Sequence, residues 1–368
     1  MQDNINRLHY MDAMRAILMI LGVVLHSAQV FNPTQSWIIY SENGHSFFNY
    51  LVDIISTFRM PAFFIVSGFF CFITLKKYKV RLFLSLRLKR IIIPFAFTAI
   101  TLNTLQALLL EWSGWQQFEY PDYLLKGEFV SHLWFLTNLI VYFIVASFLI
   151  SFFGPLMRLV GNRIVKMMNP LPITIVVAVM PLFSIIILSL NKVGLPLYSS
   201  FFSIFNVFSI LQYAPFFIFG AVMGLSKDLL ARLSSANPFL CLAVIVISFL
   251  LIEWMENTGN MKGWFSIMVV QYLTLLTIWF SVLICFFVFY RYFNKSSKIM
   301  LYLSDASYTV YLFHHIFVVL LGLLVVYLSF PAYLSVFILI TCVTAITLYI
   351  HSHIILKYKL CLFMFNGK

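Results

Sequence analysis

A chain of 368 residues that is 62% hydrophobic and 10% charged, with mean hydropathy +0.98, carries more apolar surface than a water-soluble core of its size can hide. The formal net charge of +12 does not mark a nucleic-acid binder, because the basic residues fall in short segments between apolar runs rather than on one solvated face. Five cysteines, Cys71, Cys241, Cys285, Cys342 and Cys361, sit in apolar segments or the tail without metal-ligand spacing and are expected to serve as packing residues.

Apolar runs close to the twenty residues needed to cross the hydrocarbon layer predict about ten spans, at 13–31, 47–75, 91–110, 132–153, 171–190, 203–225, 238–254, 264–290, 299–328 and 333–356. The first is expected to be retained, since His26 stands where a cleavage site before Ala28 wants a small residue and Arg15 lies inside the run. The second and ninth exceed the bilayer thickness and are expected to tilt, to project, or in the second case to kink at Pro61. Placing the N-terminus in the cytoplasm puts 20 of the 24 Lys and Arg on that side, leaves Lys126, Lys192 and Lys262 outside, and leaves Arg59 within a span. The loop expected at 76–90 holds seven cations and no acid, whereas 111–131 holds four acids and one lysine. The expected fold is therefore an all-α polytopic bundle with both termini cytoplasmic. With no repeat and no long polar linker, one membrane domain covers 1–368.

In span one, Arg15 and His26 differ by about 20° around a helix, and Asp12 and Gly22 fall near the same stripe. Asp12 is spaced to pair with Arg15, and Gly22 leaves room along the stripe for a ligand. At about 1.5 Å per residue, His26 stands roughly 21 Å beyond Asp12 and His314 roughly 24 Å beyond Lys298, while His132 opens span four from the outside. Three histidines thus fall in the outer half, and Arg15, Arg87 and Arg90 in the inner part. Arg59, about 25 Å from Lys76, lies toward the outer part of span two, where Asp53 does not share its face. Its counter-charge comes from another span or from a ligand carboxylate. Ser67 and Gly68 suit a close helix approach.

Cations inside and imidazoles outside fit a phosphate-bearing donor entering from the cytoplasm and a hydroxyl acceptor arriving from the other side. Arginine forks match phosphate oxygens, and neutral imidazole takes a hydroxyl proton near pH 7. Other readings remain open on these residues alone. They are buried structural ion pairs, cations collected by the positive-inside bias, a secondary transporter of a small anionic solute, and a catalytically silent glycan-binding subunit. Trp112, Trp115 and Tyr120 stack sugars or anchor at the interface.

In this order the residues resemble the acyltransferase-3 family of membrane O-acyltransferases over most of the chain. Arg15 and His26 match its Arg, ten residues, His signature, preceded by the acid Asp12. FFIVSGFF at 63–70, RLKRIIIP at 87–94, HLWFL at 132–136 with Trp134, and SYTVYLFHH with Tyr311 and His314 match its later motifs. The resemblance implies transfer of an acyl group from cytoplasmic acyl-CoA to a hydroxyl of an extracytoplasmic glycan or glycolipid, at the plasma (inner) membrane. His26 would be the base with Arg15 and Asp12, and Arg87 and Arg90 would hold the donor. Substrate would meet Arg59, His132, Trp134, His314, Tyr311 and Ser67. No permanently bound cofactor or metal is implied. FRMPAFFIVSGFF and SHLWFL are most similar to the branch that succinylates periplasmic glucans, and there the Arg59 charge would read a succinyl carboxylate. Many relatives carry a further esterase-like domain after the last span, so a second catalytic step is expected to need a partner from envelope-glycan biosynthesis.

Overall fold

A computed structural model describes residues 8–190, 194–257 and 263–368, so the expected outer lysines Lys192 and Lys262 lie outside the described residues. The chain is built from helices α1 (His9–Gln29), α2 (Ser46–Lys77), α3 (Val80–Thr98), α4 (Thr104–Trp112), α5 (Tyr120–Leu125), α6 (Trp134–Met168) and α7 (Ile173–Ser189). After a two-stranded hairpin, β1 (Ser200–Phe201) with β2 (Phe205–Asn206), come α8 (Val207–Met223), α9 (Lys227–Ser234), α10 (Pro238–Asn257), α11 (Trp264–Phe293), α12 (Lys298–Tyr327), α13 (Ala332–Ile350) and α14 (Lys359–Asn366). Among the described residues, eight helical segments are long and apolar enough to cross a membrane, and Ile173–Ile187 and Val207–Met223 are shorter apolar helices. Each overlaps one of the ten stretches expected from hydropathy, and the protein is a polytopic all-α membrane bundle.

Burial sorts the helices. α12 is the most enclosed, packed against α1 and α13, whereas α10 buries only 11% of its apolar window and turns the rest outward, as a lipid-facing helix must. α2 and α8 meet backbone to backbone. A Cβ at Gly68 would collide with the Phe217 carbonyl oxygen, and one at Gly220 with that of Ile65, which is the small-residue contact that lets membrane helices associate closely. Cys71, Cys241 and Cys285 are buried as packing residues, while Cys342 is exposed.

Several boundaries differ from the sequence-based expectation. The basic segment 76–90 is not a loop, because α3 starts at Val80 and runs through VRLFLSLRLKR, a stretch of good helix formers without Gly or Pro. Pro61 lies inside an unbroken 32-residue α2. α6 leaves helical geometry at Phe153, the predicted end of span four, but resumes past Pro155 to Met168. The sixth span starts at Val207, after the hairpin, with the Asn206 side chain capping its first turn. Between α3 and α4 the chain makes a π-helical turn at Ala99–Asn103.

Candidate active site

Near the C-terminal end of α1, His26 places Nδ1 2.7 Å from Oε1 of Gln29, one turn on. An amide oxygen only accepts, so Nδ1 carries the proton and Nε2 keeps its lone pair. Three more of the chain's eight histidines surround this ring. His314 and His315 of α12 have ring centroids 5.3 Å and 5.1 Å from that of His26, and His132 stacks on His315 at 4.6 Å with planes 10° apart. Neighbouring residues of a helix point about 100° apart, so His314 and His315 both turn inward only because α12 is enclosed on most sides.

The rings are held in different ways, and both ring nitrogens of His132 are buried without a hydrogen-bond partner. His314 Nδ1–H donates to the carbonyl oxygen of Tyr311 at 2.8 Å. His315 Nδ1 lies 2.7 Å from Gln106 Oε1 of α4. His132 comes from a 3-10 turn at Glu128–Leu133, and its carbonyl accepts from the Tyr311 hydroxyl at 2.8 Å. The residue before it, Ser131, has φ 41°, a left-handed conformation that turns the chain so that the next side chain enters the bundle. His132, His314 and His315 are buried, whereas His26 is only half-buried, and Trp37 stacks over it at 5.6 Å.

Arg59 of α2 reaches the same place. Its guanidinium lies against Gly22, one turn before His26 on α1, where an added Cβ would meet Nη1 at 3.1 Å. Nη1 is buried without a hydrogen-bond partner, and the contact of Nη2 is a weak one to the Met60 sulfur at 3.6 Å. Among the described residues no carboxylate is within ion-pair distance of it. A buried cation left in this state attracts an anion. Among the described residues, no group of three or more His, Cys, Asp or Glu stands in metal-holding geometry.

Toward the end of the bundle that carries 76–90, a cavity of about 360 Å³ opens below the imidazoles. Arg15, Arg87, Arg90 and Lys368 supply its cations, and Ser67 lies in its wall. Arg87 donates to Thr74 Oγ1 at 2.8 Å, and Arg15 stands 3.9 Å from Asp12. The cavity ends at Met19, Phe63 and Phe135, and the last two rings pack edge to face at 5.0 Å beneath Tyr311. At the opposite end a second cavity of about 260 Å³ is lined by Gln106, Gln116, Gln117, Glu128 and Ser131.

The α1 stripe falls as its spacing predicts, with Arg15 and Met19 on the basic cavity, Gly22 under Arg59 and His26 in the imidazole cluster. Of the residues singled out from sequence, His26, Arg59, His132, Tyr311 and His314 come together. Arg15, Arg87, Arg90 and Ser67 gather in the basic cavity, beside Asp12. Eleven residues separate Arg15 from His26, about 16 Å along the helix, so the two stand at different depths of the bundle. Trp134 belongs to neither group and stacks on Tyr213 at 5.3 Å. His315, Gln106, Gln29 and Trp37 escaped sequence reasoning. The doubled histidine of LFHH in the most apolar surroundings was the available signal.

The chain matches the acyltransferase-3 family, an acyltransferase domain, over residues 8–351. It is similar to glucans biosynthesis protein C of Salmonella heidelberg (strain SL476) and of Salmonella typhi, each 29% identical over 84% of this chain and 82% of the relative, and to that of Salmonella paratyphi B at 28% over the same shares. No solved structure matches it significantly. A family match across nearly the whole bundle settles enzyme against transporter: the chain belongs to the acyltransferase-3 family and is a multi-pass membrane acyltransferase.

Proposed function

We propose that this protein moves an acyl group, succinyl or acetyl, from acyl-CoA in the cytoplasm to a hydroxyl of an extracytoplasmic glucan or glycolipid, with the basic end of the bundle facing the cytoplasm of a plasma (inner) membrane. The glucan follows from the relatives' name, glucans biosynthesis protein C. The donor's phosphates meet Arg15, Arg87 and Arg90, and its thioester arm passes Phe63 and Phe135 to reach the imidazoles.

There the acceptor oxygen attacks the thioester carbonyl while His26 Nε2 takes the hydroxyl proton. The tetrahedral intermediate collapses, the carbon–sulfur bond breaks, and the imidazolium returns the proton to the departing thiolate. Gln29 holds the ring in the tautomer this requires. Arg59 takes the free carboxylate of a succinyl group, the anion its unpaired guanidinium lacks. Proteins that build the envelope glycan would deliver the acceptor.

One observation carries this reading. His26 alone of the four clustered imidazoles keeps exposed surface, with its Nδ1 committed to Gln29. The test is transfer from succinyl-CoA and acetyl-CoA to envelope glycan by purified protein in nanodiscs, with products read by mass spectrometry. His26→Ala and His26→Gln are expected to lower turnover by about 10²–10⁴-fold while donor binding and membrane insertion persist. Near-normal turnover in both variants overturns the base assignment.

A further inference from the structure

We propose that the cavity at the far end of the bundle is the acceptor site, built for a neutral, hydroxyl-rich sugar, and that Gln106 links its floor to the imidazole cluster. The inference rests on the transferase reading above and adds to it the place and the charge of the acceptor. Its volume, about 260 Å³, lies near the small end of the roughly 300–1,000 Å³ typical of ligand pockets. Gln116, Gln117 and Glu128 stand on its exposed rim, and Phe118 and Tyr123 add aromatic rings 5.2 Å apart. Amide and carboxylate groups pair with vicinal hydroxyls, and ring faces take the apolar side of a pyranose.

Charge separates the two cavities. No Lys or Arg lines the far one, and its single ionisable acid, Glu128, repels an anionic ligand. Lys126, on the same segment, is held by Asp122 at 2.7 Å. The basic cavity carries four cations against one acid, Asp305. An anionic donor and a neutral acceptor are thus sorted to opposite ends before they meet.

Three wall residues adjoin the cluster. Ile38 follows Trp37, which covers His26; Ser131, strained at φ 41°, precedes His132; and the buried Gln106 holds His315 Nδ1 at 2.7 Å while lining the cavity. A hydroxyl bound here is one side chain away from the imidazole cluster in which His26 takes its proton. Gln106 is a positioning residue, fixing the His315 tautomer on the acceptor side.

The test uses the full chain in nanodiscs and omits any acyl donor. A neutral gluco-oligosaccharide is titrated as a soluble ligand and, in a second arm, presented as the headgroup of a glucosyl lipid, with binding read by saturation-transfer NMR and calorimetry. Saturable binding in either arm supports the site, and the arm that binds tells a free glycan from a glycolipid. Affinity is expected to fall at least tenfold in Glu128→Gln and in Gln117→Ala but not in Glu119→Gln, an exposed side chain outside the cavity. Absence of saturable binding in both arms, affinity within twofold of wild type in both cavity variants, or equal competition by a carboxylated oligosaccharide of the same length overturns the proposal. Transfer that persists with an unaltered acceptor KM in both variants overturns the site while leaving the transferase reading intact.

Discussion

The guanidinium of Arg59 rests on the bare backbone of Gly22, one helical turn from His26. Two helices therefore deliver a cation and an imidazole to one spot only because α1 has no side chain there. Gly22→Ala requires the flexible end of Arg59 to give by a few tenths of an ångström, and a small loss of activity is expected. Gly22→Leu displaces the guanidinium and is expected to lower turnover by about 10²-fold, the scale of one charged hydrogen-bond donor removed from a reacting site. Transfer kinetics on variants of matched insertion level check this; Gly22→Leu at wild-type turnover would remove the guanidinium from the reaction.

Arg59 is also the residue expected to distinguish acyl groups. If its charge meets the succinyl carboxylate, Arg59→Met loses succinyl transfer by about 10²-fold or more, since an ionised group would be left buried and unpaired, and acetyl transfer suffers much less. Arg59→Lys is expected to restore part of the succinyl activity, because a point charge replaces the fork. Competition between the two thioesters in one reaction reads the ratio directly. Equal effects on both groups would sink the carboxylate role.

The Gln29 side-chain amide fixes the His26 tautomer. Gln29→Leu keeps the volume and removes the acceptor. The expected result is a fall in kcat of about 10–100-fold with donor and acceptor KM unchanged, the pattern of an orienting partner. A change confined to KM would assign Gln29 to binding instead.

Stability is expected to depend on the α2 and α8 contact. Gly68→Val and Gly220→Val force a branched side chain against a carbonyl oxygen that cannot move without shifting its helix, so each is expected to cost about 3 kcal/mol or more. Gly154→Ala, where a Cβ meets nothing within 4 Å, is expected to be neutral or slightly stabilising. Thermal midpoints by fluorescence-detected size exclusion separate the two classes, and a wild-type midpoint for both valine variants would contradict the backbone contact.

The spans were legible because each is an apolar run of bilayer length, and the Arg15 to His26 stripe because helical periodicity survives in any surroundings. What joins the site together was not legible. The His315 to Gln106 bond spans 209 positions, and the stack of His132 on His315 depends on the reversed backbone at Ser131, a residue without the glycine that usually marks such a turn. The helical start at Val80 was hidden by charge: the cations of 76–90 read as a solvated loop although their helix propensity is high. Arg59 was recognisable as anomalous, but the place that receives it is marked only by Gly22, which read as room for a ligand.

One feature of the third membrane crossing ties the two ends of the molecule together. Arg87 and Arg90 precede the π-helical turn at Ala99–Asn103 and Gln106 follows it, and the wide turn accommodates one residue more than a regular helix would. Shortening the chain by one residue there would swing everything beyond it by about 100°, so a uniform α-helix could aim the arginines into the basic cavity or the amide at His315, but not both. The register defect is what allows a single rod to reach both cavities.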